Sequence, residues 1–176
     1  MTDFKTAIFA GGCFWCIEAG FQKMPALLDI ESGYTGGEEA TANYQEHKYH
    51  GHREAVRVTY DPNKTSFKEL VEYFFTKHDP TDAEGSFHDR GFSYSPAIYY
   101  QDESERNDIN QVITELEEMK VFDSPIVTAI EPRKPFYLAE DYHQNYAANN
   151  PEHYNGYAAA SGRKDFEEKV AKKLGK

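Results

Sequence analysis

The first 25 residues constrain the fold most strongly, because a β-prone run leads through two glycines directly into a helical pattern. The apolar run covers residues 5–10, and the helical pattern covers residues 13–24. Pro25 ends the helical pattern. Gly11 and Gly12 lie between the two and permit backbone conformations that side chains disfavour. The sequence therefore predicts a strand, a tight turn and a helix.

Strand and helix signals continue to alternate along the chain. Ser66 and Glu69 have the spacing of a capping box, which predicts the start of a helix. The other signals are two-residue alternation for strands and three-to-four-residue apolar spacing for helices. The predicted elements are a strand in residues 27–36, a strand at 54–60, a helix from 66 to about 77, a strand at 95–100, a helix from about 103 to 120, a strand at 125–132 and a helix at 163–174.

The order β-α-β-β-α-β, with an added helix and strand, is typical of a ferredoxin-like split βαβ sheet with helices packed on it. We therefore expect an α+β fold, a two-layer sandwich that forms one domain over residues 1–176. The segment from about 135 to 162 has weak periodicity, which predicts an irregular C-terminal segment. A thioredoxin-like fold is the alternative, because there too a Cys-x-x-Cys motif opens a helix after a strand.

Charge and hydropathy argue against some classes of function. The formal net charge of −11 opposes nucleic-acid binding, which depends on clustered Lys and Arg. No apolar run approaches the ~20 residues that span a bilayer, and the start lacks the features of an export signal. We therefore expect a cytoplasmic protein without nucleic-acid or membrane partners. In that reducing compartment, two cysteines suit a catalytic, redox or metal role better than a permanent disulfide.

Both cysteines, Cys13 and Cys16, lie at the predicted start of the first helix. The unpaired N–H groups and the helix dipole there favour the Cys13 thiolate over the thiol. Cys16 shares the same helix face, within reach of a disulfide after modest adjustment. The arrangement is typical of a redox-active pair, in which Cys16 captures an oxidised Cys13. The alternative is that Cys16 is a small buried core residue.

Three histidines, His47, His50 and His52, cluster in the segment HKYHGH and raise the question of a metal site. A structural zinc site needs four N or S ligands in tetrahedral geometry, and this segment lacks the paired spacing of such sites. Clustered histidines in a loop are more often solvated. We therefore predict no metal and no other cofactor.

Seven segments resemble, in order, the signature segments of the A-type peptide-methionine sulfoxide reductases. The first, GGCFWCIE, contains the Gly-Cys-Phe-Trp motif with which the active site of that family begins. The likeness extends from residue 5 to about residue 157, so the chain is identified as a member of the family. The other six segments are SGYTGG (32–37), NYQE (43–46), GHREAVRVTYDP (51–62), HDPT (78–81), HDRGFSYSPAIYY (88–100) and AEDYHQNY (139–146).

The resemblance implies that the chain reduces methionine S-sulfoxide, free or in proteins, to methionine. It assigns Cys13 as the nucleophile and Glu54 as the proton donor. An acid is needed because the sulfoxide oxygen is a poor leaving group unless it is protonated while the thiolate attacks sulfur. Glu54 must then have a raised pKa, which burial among aromatic side chains would provide. From its residue type alone, Glu54 would be an ordinary exposed carboxylate at a strand end.

The resemblance also assigns residues that bind the substrate. The hydroxyls of Tyr44 and Tyr94 hold the sulfoxide oxygen, and Asp89 helps to bind the substrate backbone. Phe14 and Trp15 contact the S-methyl group, although their residue types alone would indicate anchors of the helix. The residues expected to support the wall of the site are Asp141 and His143.

One departure from the family concerns the thiol that resolves the sulfenic acid. Many relatives carry a cysteine in a C-terminal Gly- and Tyr-rich segment, where this chain has Asn155. Cys16 is then the only internal candidate to resolve Cys13, and thioredoxin would reduce the resulting disulfide. In the rival scheme, an external thiol resolves Cys13 directly and Cys16 is structural.

Two other classes of function stay open at this point. A thioredoxin-like dithiol oxidoreductase would use the same cysteines without Glu54 or Tyr94 and would reduce protein disulfides directly. A non-enzymatic redox or metal-binding module would not turn over methyl sulfoxides. For the reductase we expect a monomer.

Overall fold

The computed structural model describes residues 3–175 of the 176-residue chain, and strands and helices alternate in it. The strands are β1 (Lys5–Ala10), β2 (Leu27–Thr35), β3 (Arg53–Tyr60), β4 (Gly85–Ser86), β5 (Asp89–Arg90), β6 (Ala97–Tyr100), β7 (Ala129–Pro132) and β8 (Phe136–Leu138). The helices are α1 (Phe14–Gln22), α2 (Phe67–Phe74), α3 (Glu103–Glu118), α4 (Tyr146–Asn149), α5 (Pro151–Ser161) and α6 (Arg163–Lys173). Short 3-10 helices occur at Glu39–Thr41, His47–Tyr49, Phe92–Tyr94 and Asp141–His143.

Six strands form one sheet in the order β7-β6-β1-β3-β2-β8. In its centre, β1 pairs antiparallel with β3 and β6, and β3 pairs antiparallel with β2. β3 therefore separates the two strands of the first βαβ unit, as a split βαβ arrangement requires. The predicted ferredoxin-like α+β fold is confirmed, and the thioredoxin-like alternative is wrong.

The C-terminal segment is more regular than the sequence predicts. Residues 135–162 contain β8, α4 and α5 instead of an irregular chain. β8 pairs with β2 at Gly33, where a Cβ atom would lie 2.5 Å from the Tyr137 carbonyl oxygen, so a larger residue would push the strand away. Pro151 at the first position of α5 and Gly162 directly after its end are common helix-end residues. α5 lacks an apolar stripe, and periodicity therefore does not predict it.

Aromatic rings join α1 and α2 to the sheet. The ring centroid of Phe9 in β1 lies 5.2 Å from that of Phe21 in α1 and 4.9 Å from that of Phe74 in α2. All three side chains are fully buried. Burial of each ring stabilises the fold by about 1.5–3 kcal/mol. The cluster fixes the C-terminal half of α1 on the sheet, and the two cysteines lie at the opposite end of that helix.

His78, just after α2, is a fully buried titratable group. Its Nδ1 lies 3.0 Å from the Phe74 carbonyl oxygen, and its Nε2 lies 2.9 Å from the Thr128 hydroxyl oxygen. A neutral ring serves both contacts, because Nδ1–H donates to the carbonyl while Nε2 accepts from the hydroxyl. Burial lowers the pKa of His78 to about 3.

We predict that His78 makes folding stability depend on pH between pH 3 and about 6.5, the usual pKa of an unfolded histidine. In this range the unfolded chain binds one more proton at this position than the folded chain. The free energy of unfolding therefore falls by about 1.4 kcal/mol for each pH unit of acidification. Denaturant unfolding from pH 7 to pH 4 should show a smaller pH dependence in His78→Asn than in the parent protein. The matched control is His50→Asn, which changes an exposed histidine and should keep the parental dependence.

Candidate active site

The turn between β1 and α1 leaves no space for side chains. Gly12 has a φ of +103°, in the region that favours glycine. A Cβ atom at Gly12 would lie 2.7 Å from Ser86 Oγ, and one at Gly11 would lie 2.8 Å from Ile17 Cδ1. Because both positions are glycine, Cys13 follows β1 after only two residues and occupies the N-cap of α1.

Cys13 and Cys16 share the first turn of α1. The Cys13 carbonyl oxygen accepts hydrogen bonds from the N–H groups of Cys16 at 3.1 Å and Ile17 at 3.3 Å. Both thiols are free, and their residues are only 6% and 4% exposed. A hydrogen bond between the two thiols lowers the pKa of Cys16 to about 7.

The surroundings of the two thiols favour a thiolate at Cys16 over one at Cys13. Burial raises the pKa of Cys13, and the hydrogen bond to Cys16 and the nearby Glu54 charge raise it further. The Arg163 guanidinium favours the thiolate of Cys16. Burial, the hydrogen bond with Cys16 and the Glu54 charge thus act against the Cys13 thiolate that the helix start favours.

Glu54 brings a buried carboxyl to the same helix end. It occupies the second position of β3, opposite Tyr34 of β2. Its Oε1 accepts a hydrogen bond from the N–H of Phe14 at 3.2 Å. Burial raises the pKa of Glu54, as the sequence predicts for a proton donor. A carboxyl that can hold a proton thus lies beside Cys13.

The prediction that the clustered histidines are solvated is wrong for two of them. His47 and His52 are fully buried, whereas His50 is exposed. His47 Nε2 lies 3.0 Å from Glu54 Oε2, and His47 Nδ1 lies 3.0 Å from the carbonyl oxygen of Tyr44. His47 thereby orients Glu54 and links it to the segment that carries Tyr44. The spacing within HKYHGH does not distinguish His47 from its neighbours.

Phe14 and Trp15 meet aromatic side chains of the C-terminal segment. Trp15 Nε1 donates a hydrogen bond to His143 Nδ1 at 3.0 Å, and the indole stacks on Tyr146 with ring centroids 3.8 Å apart. The Phe14 ring lies 4.9 Å from that of His143. His143 is buried and contacts both residues, as a residue supporting the wall should. Asp141 is exposed and forms no side-chain hydrogen bond within residues 3–175.

Tyr44 and Tyr94 lie around the Glu54–His47 pair. Their ring centroids are 5.7 and 6.4 Å from that of His47. Burial and the nearby Glu54 charge raise the pKa of both tyrosines. Their hydroxyls therefore remain protonated near neutral pH and can donate hydrogen bonds.

Helix α5 brings two tyrosines near the thiols. Tyr157 of α5 donates a hydrogen bond to Asp89, which lies in the β4–β5 hairpin. Tyr154, one turn earlier, lies beside the Cys16 thiol. The structure thus brings together every site residue predicted from the sequence except Asp141.

Besides His47, three residues of the site are not predicted from the sequence, and they lie in α5 or at the start of α6: Tyr154, Tyr157 and Arg163. The two tyrosines belong to a set of thirteen in the chain, and α5 gives no helical periodicity that would select them. Arg163 follows Gly162, whose φ of +83° ends α5 and starts α6. This glycine is the only local sequence feature that marks the boundary between α5 and α6.

Within residues 3–175, no group of three or more His, Cys, Asp or Glu side chains could hold a metal ion. Among the helices of the same residues, none has the length and apolar character to cross a membrane. The charged side chains that shift the pKa values of the two thiols are Glu54, Asp89 and Arg163.

Comparison with known protein families supports the resemblance noted in the sequence. Residues 5–174 match the family model described as peptide methionine sulfoxide reductase. The chain belongs to this family. It is therefore an oxidoreductase, and the match covers almost all of the described residues.

Streptococcal relatives agree with the family assignment. The peptide methionine sulfoxide reductase MsrA of Streptococcus pyogenes serotype M5 (strain Manfredo) is 49% identical over 152 residues, which cover 85% of this chain and 90% of the relative. The protein of the same name from Streptococcus equi subsp. zooepidemicus is 48% identical over the same shares of the two chains. The family resemblance thus extends well beyond the motif around the cysteines.

Solved structures of the family share the fold. The reduced form of Mxr1 from Saccharomyces cerevisiae matches with a TM-score of 0.79 at 29% identity, covering 86% of this chain and 90% of Mxr1. Methionine sulfoxide reductase A of Corynebacterium diphtheriae gives 0.70 at 28% identity, covering 84% and 76%. Mxr1 in complex with Trx2 gives 0.57 at 25% identity, covering 84% and 89%.

We predict that the thiolate of the reduced enzyme at neutral pH belongs to Cys16, with a pKa of about 7. The ultraviolet absorbance of the thiolate, followed against pH, should show this titration in the parent and in Cys13→Ser, whose hydroxyl still donates a hydrogen bond. The titration should be absent near neutral pH in Cys16→Ser, because burial and Glu54 keep Cys13 protonated. A neutral-pH thiolate in Cys16→Ser would contradict this assignment.

Proposed function

We propose that this enzyme reduces methionine S-sulfoxide, free or within proteins, by attack of Cys13 on the sulfoxide sulfur. The position of Glu54 is the observation that supports this most directly. Its buried carboxyl accepts a hydrogen bond from the residue next to Cys13, at the start of α1. Sulfoxide reduction needs a thiol nucleophile and a proton donor at the same point, because the oxygen must be protonated as it leaves sulfur.

The first step oxidises Cys13. As its sulfur attacks the sulfoxide sulfur, the Cys13 proton passes to the Cys16 thiolate and Glu54 protonates the oxygen. The hydroxyl then moves to Cys13 while the sulfur–oxygen bond of the substrate breaks, which releases methionine and leaves a sulfenic acid. Two electrons have moved from Cys13 to the substrate, and Glu54 is left as a carboxylate. His47, 3.0 Å away, stabilises that carboxylate.

The substrate is held by two kinds of contact. The neutral hydroxyls of Tyr44 and Tyr94 donate hydrogen bonds to the sulfoxide oxygen, where negative charge develops before protonation. Phe14 and Trp15 supply an apolar surface for the S-methyl group. Support for this arrangement comes from the fixed position of the indole, which is stacked on one face and hydrogen-bonded through Nε1.

Asp89 is proposed to bind the backbone of the substrate. In this structure its carboxylate is hydrogen-bonded to the hydroxyl of Tyr157. An amide N–H of the substrate would replace that hydroxyl as the donor. Binding of a peptide would then be coupled to a displacement of Tyr157 from Asp89.

Cys16 is proposed to resolve the sulfenic acid. Its sulfur attacks the sulfur of oxidised Cys13, a sulfur–sulfur bond forms, and the sulfur–oxygen bond breaks. The hydroxide leaves as water with the proton from Cys16, so the two thiols together supply the two electrons that the substrate received. The shared helical turn supports this step, since the Cys16 N–H is bonded to the Cys13 carbonyl oxygen.

An external dithiol is needed to reduce the disulfide and complete the cycle. We propose thioredoxin, because the related Mxr1 has been captured in a complex with Trx2. Thiol–disulfide exchange with such a reductant fits a reducing compartment such as the cytoplasm.

We predict that Glu54→Gln slows the first step about 10²–10⁴-fold, the usual contribution of a positioned general acid. Methionine released in a single turnover from methionine S-sulfoxide gives the rate. In the parent this rate should fall as pH rises through the raised pKa of Glu54, because the protonated form reacts. The matched control is Glu46→Gln, an exposed glutamate of the same segment, which should keep the parental rate.

An unchanged single-turnover rate and pH profile in Glu54→Gln would remove Glu54 as the proton donor. Loss of turnover in Cys13→Ser is expected in the same assay. Rapid reduction of insulin disulfides by the enzyme, without turnover of methionine sulfoxide, would support a dithiol oxidoreductase instead.

A further inference from the structure

A positive charge is buried beside the Gly11–Gly12 turn without an acidic partner. Arg163, the first residue of α6, is 4% exposed. Its guanidinium donates hydrogen bonds to the carbonyl oxygens of Lys77 at 2.5 Å and Gly11 at 3.2 Å, and to Ser86 Oγ at 3.0 Å. Nε has no hydrogen-bond partner, and no carboxylate of residues 3–175 lies within ion-pair distance of this guanidinium.

Such a charge needs a compensating anion. A guanidinium cannot lose its proton at physiological pH, and burial removes the water that would otherwise solvate it. The Phe87 ring covers one face, with its centroid 4.8 Å from the guanidinium carbon. The three hydrogen-bond acceptors around Arg163 are neutral. They satisfy N–H groups but do not balance the charge.

Cys16 is the group that can supply the anion. The charge of Arg163 favours its thiolate, and the Tyr154 hydroxyl beside it favours the thiolate as well. Tyr154 lies in the first turn of α5, and Arg163 is the first residue of α6.

We propose that Arg163 and Tyr154 hold Cys16 as a thiolate and thereby make it competent to resolve the Cys13 sulfenic acid. The inference rests on the proposed two-cysteine cycle. Arg163 acts through Cys16 as a positioning residue, and its contact with the Gly11 carbonyl also ties the position of the charge to the turn before Cys13. Tyr154 and Arg163 then stabilise the thiolate that resolves the sulfenic acid, whereas the resolving thiol itself belongs to α1.

The titratable and charged groups that face Cys16 have opposing effects on its ionisation. Cys13 before α1, Tyr154 of α5 and Arg163 of α6 favour the thiolate, whereas Asp89 of β5 opposes it. Once Cys13 is oxidised, its thiol no longer donates a hydrogen bond to Cys16. Cys16 then carries the proton that it took from Cys13, and Arg163 and Tyr154 are the groups left to favour loss of that proton when Cys16 attacks.

The test measures the acidity of Cys16 in the resting enzyme, without any sulfoxide. In a Cys13→Ser background, the thiolate absorbance reports Cys16 alone after subtraction of the Cys13→Ser/Cys16→Ser protein. Arg163→Met should raise the titration midpoint by about one pH unit or more, the usual effect of losing a nearby opposite charge. Arg163→Lys keeps the positive charge and should leave the titration midpoint close to that of the Arg163 protein. The matched control is Lys164→Met, which removes an exposed neighbouring charge and should leave the midpoint unchanged.

Tyr154→Phe removes only the hydroxyl and gives a second reading if Arg163→Met does not fold. It should also raise the midpoint. If Arg163→Met folds, an unchanged titration midpoint in that protein would overturn the inference. If it does not fold, an unchanged midpoint in Tyr154→Phe would overturn it. Either result leaves the proposed function standing, because the assay involves no turnover.

With both cysteines present, the effect on resolution can be followed directly. In Arg163→Met, disulfide formation after one turnover should slow about fivefold at neutral pH if the midpoint rises by one unit from about 7, because the thiolate fraction falls by that factor. The rate should recover at higher pH, where Cys16 ionises without Arg163. A loss of rate that high pH does not restore would indicate a purely structural role and overturn the inference. Failure of the parent to form the disulfide would instead contradict the proposed two-cysteine cycle.

Discussion

The β1–α1 turn packs tightly against the β4–β5 hairpin, and this packing determines where the groups proposed to react lie. Gly12 has a positive φ, and any Cβ atom there would collide with Ser86 of the β4–β5 hairpin. Because the chain turns in two residues, Cys13 is held at the end of β1, next to the β3 residue Glu54. The same turn presents the Gly11 carbonyl oxygen to Arg163. The proposed nucleophile, the proposed acid and the buried cation are thus positioned by one piece of backbone.

Burial then decides how charge is distributed in the site. Water is largely excluded from the two thiols and from Glu54, so each carries a charge only where a partner stabilises it. Burial raises the pKa of Glu54, whereas the Cys13 hydrogen bond and the Arg163 charge favour a thiolate at Cys16. This distribution suits a cycle in which Cys16 first accepts the proton of Cys13 and later attacks it. The two cysteines have the same intrinsic chemistry, so their different proposed roles depend on their surroundings.

The sequence predicts the parts of this site that depend on local pattern. The strand, the glycines and the helix around Cys13 follow from residue types that are adjacent in the chain, and the split βαβ order follows from the succession of elements. Glu54 could be assigned only through the family resemblance, because its burial depends on packing. His47 and Arg163 were missed for the same reason. The contact of Arg163 with Gly11 joins residues 152 positions apart, and no local periodicity reports such a pair.

The most direct test of the account is a count of free thiols by mass spectrometry after one equivalent of methionine S-sulfoxide, with no reductant present. The account predicts that the parent loses both thiols and contains a Cys13–Cys16 disulfide, while Cys16→Ser stops at a sulfenic acid on Cys13. A parent protein that also stops at the sulfenic acid, with Cys16 free, would contradict it. Cys16 would then be structural, and an external thiol would have to complete the cycle.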